Sequence, residues 1–229
     1  MLAMLMTDGE IRGAIGKKDL LIGNFSEECL EAASYDMRVG KRAVVTSSED
    51  ELDLEKKGSV TLKAGDFAII TTHETVKLSD IIAGHIGIKS YYTRKGIVLL
   101  AGLQIDPGFE GVLVVGIYNA SPRSFTLDYL APFCTVEFHR LTQPATKPYV
   151  SGEEQKRGEI PRADKDYLRT LETQTLSEMS AALRQMSINV SDLTTSVRTM
   201  SRIVYAVVIP LLFVIVASIL GLPLLRPSP

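Results

Sequence analysis

The chain has 229 residues, 45% of them apolar and 23% charged, with a formal net charge of −2. This is ordinary globular composition with room for one sizeable core and an appendage, and it lacks the basic excess expected of a nucleic-acid binder. Cys29 and Cys134 stand far apart and form no metal spacing with His73, His85 and His139, as expected of buried thiols in a reducing compartment.

From the N-terminus, Met1–Met6 is apolar but too short, and lacks the basic start, for a secretory signal. Thr7-Asp8-Gly9-Glu10 ahead of Ile11 and Ile15 is a capping-box pattern and predicts a short helix. Strand-length apolar runs follow, rich in Val, Ile, Phe, Tyr and Thr: 42–46, 59–62, 67–72, 97–100, 111–118, 124–129 and 135–141. Gly40, Gly58, Gly65, Gly96, Pro107-Gly108 and Pro122 punctuate them. Many short, evenly spaced strands predict a mainly β domain over 1–150, a sandwich, jelly roll or barrel. The acidic stretch 49–55 is expected to be a solvated loop.

Residues 151–166 are polar and predict a linker or mobile tail. Beyond them Leu176, Met179, Leu183, Met186, Val190, Leu193, Val197, Met200 and Val204 recur at alternating spacings of three and four, the heptad seam of a coiled-coil stalk over 167–202. The core residues leave the oligomer state open. Ile203–Leu225 holds 23 residues without a charge. As a helix it spans about 34 Å, against about 30 Å of bilayer hydrocarbon, which predicts one transmembrane helix over 203–225 acting as a tail anchor. Arg198 and Arg202 before it and Arg226 after it lean toward a cytoplasmic N-terminal domain.

Three clusters in the β domain carry candidate chemistry. Ser34-Tyr35-Asp36-Met37-Arg38-Val39-Gly40 puts Asp36 and Arg38 on one face of a strand. Lys89-Ser90-Tyr91-Tyr92-Thr93-Arg94-Lys95-Gly96 gathers three cations with hydroxyls, donors suited to phosphate oxygens. Gly102-Leu103-Gln104-Ile105-Asp106-Pro107-Gly108-Phe109-Glu110-Gly111 sets a carboxylate just before a Pro-Gly turn. Singly, each is compatible with an ion pair, a basic turn or a plain turn. In this order, followed by Tyr118-Asn119, they resemble the dCTP deaminase/dUTPase family, whose patterns run close to SYDLRLG, RSSLARLG and IDPGWxG. The likeness extends from Thr7 to Tyr149.

The resemblance implies a distorted jelly-roll or barrel domain, a homotrimer with sites shared between subunits, and a deoxynucleoside triphosphate held with Mg²⁺ through its phosphates, with no protein metal site. It makes Ser90 and Arg94 phosphate ligands, with Lys89 in place of an Arg. It makes Asp106 the residue that holds the sugar and orients water, and it places Gln104, Asp36 and Arg38 in the same site. The departures are specific. Gly116 stands where the deaminases carry a proton-shuttling Glu, Thr135 where a later strand carries Gln, and Tyr91 beside the phosphates where the family has a small residue. The dUTPase glycine-rich lid is absent, while Tyr149, Gln155 and Gly158 echo the deaminase tail. Three readings follow: hydrolysis of dUTP or a related nucleotide to the monophosphate and pyrophosphate; a catalytically silent nucleotide-binding or scaffold trimer; and, behind both, dCTP deamination, which needs Glu110 or Glu137 to replace the missing acid. The expected partners are the nucleotide, a second and third copy of the chain, and the lipid bilayer.

Overall fold

The computed structural model describes residues 4–48, 50–170 and 176–203, together with 205, 206, 209, 210 and 212. The chain divides into two compact units, 1–177 and 178–229. In the first unit the strands are β1 (Met4–Leu5), β2 (Leu20–Gly23), β3 (Leu30–Glu31), β4 (Ser34–Val45), β5 (Leu52–Asp53), β6 (Ser59–Leu62), β7 (Phe67–Leu78), β8 (Ile82–Ile88), β9 (Ile97–Leu99), β10 (Gln104–Ile105), β11 (Glu110–Asn119), β12 (Phe125–Asp128) and β13 (Pro132–Arg140). The helices are α1 (Asp8–Lys17), α2 (Leu54–Lys57), α3 (Ser90–Thr93), α4 (Glu153–Lys156), α5 (Arg162–Thr170) and, mostly in the second unit, α6 (Leu176–Ile203).

The capping box forms as predicted: the Glu10 amide donates to Thr7 Oγ1 and the Thr7 amide to Glu10 Oε2 at 2.8 Å. The β-strands make one curled antiparallel sheet in the order β10-β8-β13-β4-β7-β11-β9, with β12 and β6 forming a separate pair. The long strand β4 joins the halves of the sheet. Its first part pairs with β13 and its second with β7, across an irregularity between Val39 and Ala43. Alternation along β4 sends Tyr35, Met37 and Val39 into the core, which leaves Asp36 and Arg38 on the opposite face as their spacing requires. On β11, Leu113, Val115 and Ile117 enter the same core. The strand β8 is not legible as an apolar run, because Gly84, His85 and Gly87 interrupt it.

The polar stretch after residue 150 docks on the domain. Ile160 and Leu168 are buried in a second small cluster with Val44 and Ile69, packed by Phe67 and Val114. Lys165 pairs with Glu51 at 3.0 Å. Two apolar residues in so polar a stretch give no periodic signal, which is why its sequence reads as a linker. The acidic loop is likewise tied down, with Arg42 beside Glu51 and Asp53 and Lys41 on Glu55.

Most of the predicted membrane span, 203–225, lies outside the described residues. Among the described residues no helix is long and apolar enough to cross a membrane. Helix α6 covers most of the heptad segment as one continuous helix.

Candidate active site

The Asp106 region is built by close approach of the chain's own tail. The turn after Asp106 is closed by the Phe109 amide donating to the Asp106 carbonyl. Gly108 and Gly111 both have positive φ, 90° and 136°. A Cβ on Gly108 would lie 2.7 Å from Pro148 and from the Tyr149 carbonyl, and one on Gly111 2.6 Å from the Gln155 carbonyl. Glycine is therefore required twice over, by backbone conformation and by space. The tail is then held by the Tyr149 amide on the Pro107 carbonyl at 2.7 Å, the Glu110 amide on Ser151 Oγ at 2.7 Å, and stacked Phe109 and Tyr149 rings.

This contact forms part of the wall of a half-open cavity of about 250 Å³, lined among others by Gln104, Asp106, Phe109, Val114, Tyr149 and Gln155. Gln104 Nε2 donates to Asp106 Oδ1 at 2.6 Å and so fixes the carboxylate while it remains exposed. The cavity is smaller than the roughly 300–1,000 Å³ of most small-molecule sites; it has room for part of a nucleotide rather than a whole triphosphate.

The two other clusters sit outside that cavity. Asp36, almost fully buried, forms an ion pair with Lys89. Arg38 does not pair with Asp36. Its Nε meets Glu74 Oε1 at 2.6 Å, its backbone amide donates to Glu74 Oε2, and its Nη2 donates to the Asn24 carbonyl. Glu74 is fully buried. Burial works against the guanidinium's charge, but the hydrogen bond and charge of Glu74 outweigh it and hold its pKa above the ordinary value. Sequence reasoning missed Glu74; the available signal was the one carboxylate of β7, set in the polar second half of that strand beside Thr72, His73 and Thr75.

The Lys89–Arg94 turn is anchored by buried Tyr92, whose hydroxyl donates to the Pro132 carbonyl at 2.9 Å. Ser90 and Arg94 are exposed. Tyr91 stands out into solvent, capped by the Lys95 ammonium 4.0 Å from its ring centroid. Asn119 holds neighbouring loops together, its side-chain amide reaching the carbonyls of Leu62, Lys63 and Arg123.

Gly116 is buried on the face of β11 turned away from the main core. A Cβ there would lie 2.6 Å from the Leu100 carbonyl and 3.0 Å from the Phe67 ring. The missing Glu is thus accompanied by filled space. Neither Glu110, paired with Lys77 at 3.1 Å, nor Glu137, on the outer face of β13 near His139, lines the cavity. Thr135 faces neighbours on two strands, registered with Asp36 on β4 and Gly87 on β8.

Both cysteines are buried, and burial raises their thiol pKa values, Cys134 most strongly, which disfavours the thiolate form. Among the described residues no three His, Cys, Asp or Glu side chains could hold a metal ion together.

A family model described as dCTP deaminase-like matches residues 5–141. The dCTP deaminase of Pyrococcus abyssi is 41% identical over 146 residues, covering 64% of this chain and 90% of that protein. A probable deoxyuridine 5'-triphosphate nucleotidohydrolase of Sulfolobus islandicus rod-shaped virus 1 is 28% identical over 163 residues, 71% of this chain and 100% of that one. Among solved structures, the 2'-deoxycytidine 5'-triphosphate deaminase of Agrobacterium tumefaciens superposes with a TM-score of 0.51 at 19% identity, over 61% of this chain and 49% of that one; the likeness is one of fold.

Proposed function

This chain belongs to the dCTP deaminase-like family, and from that premise we propose that it is a membrane-anchored homotrimer that binds deoxynucleoside triphosphates and hydrolyses dUTP, or a related nucleotide, to the monophosphate and pyrophosphate. The observation that carries the reading is the Asp106 carboxylate, exposed at a tail-lined cavity and held by Gln104 at 2.6 Å. In the reaction Asp106 accepts a proton from water as the water adds across the α–β phosphoanhydride, and pyrophosphate leaves. Lys89, Ser90 and Arg94 hold the phosphates. Mg²⁺ would come with the nucleotide rather than be held by a cluster of this chain's side chains, and would offset the charge of the phosphates that Lys89, Ser90 and Arg94 hold.

The Lys89–Arg94 turn lies outside the cavity of its own chain, and that cavity is too small for a triphosphate. Trimerisation answers both points, with the turn of one copy completing the Asp106 cavity of another. The apolar run 203–225 supports the anchor, and Arg198 and Arg202 before it against Arg226 after it support a cytoplasmic head.

Deamination is disfavoured by the space around Gly116, which the Leu100 carbonyl and Phe67 occupy. A second reading, a binding trimer without turnover, is favoured by Tyr91, whose bulk and Lys95 cap stand in the phosphate turn. The test incubates the full chain with dUTP, dCTP and other nucleotides with Mg²⁺, reading pyrophosphate, ammonia and binding. Pyrophosphate without ammonia is expected. Ammonia from dCTP overturns the hydrolase reading in favour of deamination, and tight binding without product establishes the silent trimer. Mixing Asp106→Asn with Arg94→Ala chains tests the shared site: two inactive variants restore activity together only if the groups come from different copies.

A further inference from the structure

Helix α6 runs 28 residues, Leu176–Ile203, roughly 42 Å at 1.5 Å per residue. Along it Met186, Val190, Leu193, Val197 and Met200 are 61–70% exposed. They fall at spacings of four, three, four and three, so they share one stripe. A helix of this length in water depends on packing of its apolar face.

We infer that the stripe is a homotypic interface: α6 packs in parallel and in register against the α6 of other copies of this chain. Its composition selects that occupant. The positions flanking the seam are uncharged, with Ser187, Thr194 and Ser201 on one side and Asn189 and Ser196 on the other. Identical helices therefore meet without like charges facing each other, and no charge pattern specifies a different partner. Arg184, Asp192 and Arg198 stand on outward positions and are exposed. Thr194 donates its hydroxyl to the Val190 carbonyl at 2.8 Å, so its polar group is satisfied within its own helix. A bilayer surface is the poorer fit. The stripe is narrow and has no aromatic residue, and the polar face is not rich in Lys and Arg, unlike helices that lie in the lipid interface.

The test is disulfide trapping in the full chain under mild oxidation. Met186→Cys and Met200→Cys, placed separately, are each expected to link most of the chains to another copy, while Ser191→Cys on the outer face links at least tenfold fewer. Native Cys29 and Cys134 are buried and give the unlinked background. An antiparallel pair cannot bring both trapping positions together, so linkage at only one overturns the parallel register. Equal linkage at Ser191→Cys, no linkage at either Met position, or linkage to a different protein overturns the homotypic interface. Adding Leu193→Asp to Met186→Cys is expected to abolish the link. Its persistence would show that the heads alone bring the helices together and would overturn packing along the stripe. Circular dichroism and nucleotide binding by each variant confirm that the head is folded, so loss of linkage is read at the helix and independently of the enzymatic reading.

Discussion

The polar site residues of the three motifs fall into two groups with opposite fates. Asp36 and Arg38 are bonded to Lys89 and to buried Glu74 inside the sheet, whereas Asp106, Ser90 and Arg94 are exposed. A buried charge must be matched by a partner or it destabilises the fold. An exposed charge beside a cavity carries little stability and is available to a ligand. Resemblance to one family therefore conceals two kinds of residue, those whose charge is spent holding the strands and those left exposed. Substitutions in the first group should lower stability, and in the second should change binding or turnover with the fold intact.

The largest separation is expected at Asp106. Asp106→Asn should lower turnover of the best substrate by about 10²–10⁴-fold, with the thermal midpoint unchanged. Wild-type turnover by this variant would remove Asp106 from the chemistry. At the other pole stands Glu74→Gln, which leaves Arg38 without its counter-charge. It should destabilise the domain by about 3–5 kcal/mol in urea titration, and a cost under about 1 kcal/mol would erase the contrast. Arg94→Ala should weaken nucleotide binding by about 10- to 100-fold, the range for losing a hydrogen bond to a charged group, again without a stability change. If it instead unfolds the protein, the turn is a structural element.

The smallest effect concerns a neutral group on the core side of β4. The Tyr35 hydroxyl accepts the Ser26 amide at 2.8 Å, and burial pushes its pKa up to about 12 from an ordinary 10.0. A folded-state pKa raised above the unfolded one contributes stability that is complete below pH 10 and is lost as pH rises toward about 12. Tyr35→Phe should cost about 1 kcal/mol at pH 7 and flatten that alkaline loss, measured by denaturation at pH 7 and pH 11. An unchanged alkaline slope would assign the loss to another group.

Much of the β domain was legible from local pattern. The 59–62 run is β6 as expected, the other predicted runs fall within or overlap β4, β7, β9, β11, β12 and β13, and the capping box formed at Thr7. Alternation alone put Asp36 and Arg38 on one face. The missing Glu at Gly116 was visible in the sequence, but the Leu100 carbonyl and the Phe67 ring that fill its place come from other parts of the chain, so replacing that glycine is a packing problem as well as a chemical one.

By itself the sequence determined the class of fold, the strands with strong alternation, the three motifs and the uncharged C-terminal run, because each is a property of neighbouring residues. Tertiary structure decided which charges are neutralised, since Glu74 reaches Arg38 across 36 positions and Lys89 reaches Asp36 across 53. It also decided that the stretch after residue 150 helps line the Asp106 cavity instead of running free. Two buried apolar side chains and two glycines at positive φ achieve that docking, and contacts so sparse and so distant in sequence leave no periodic trace.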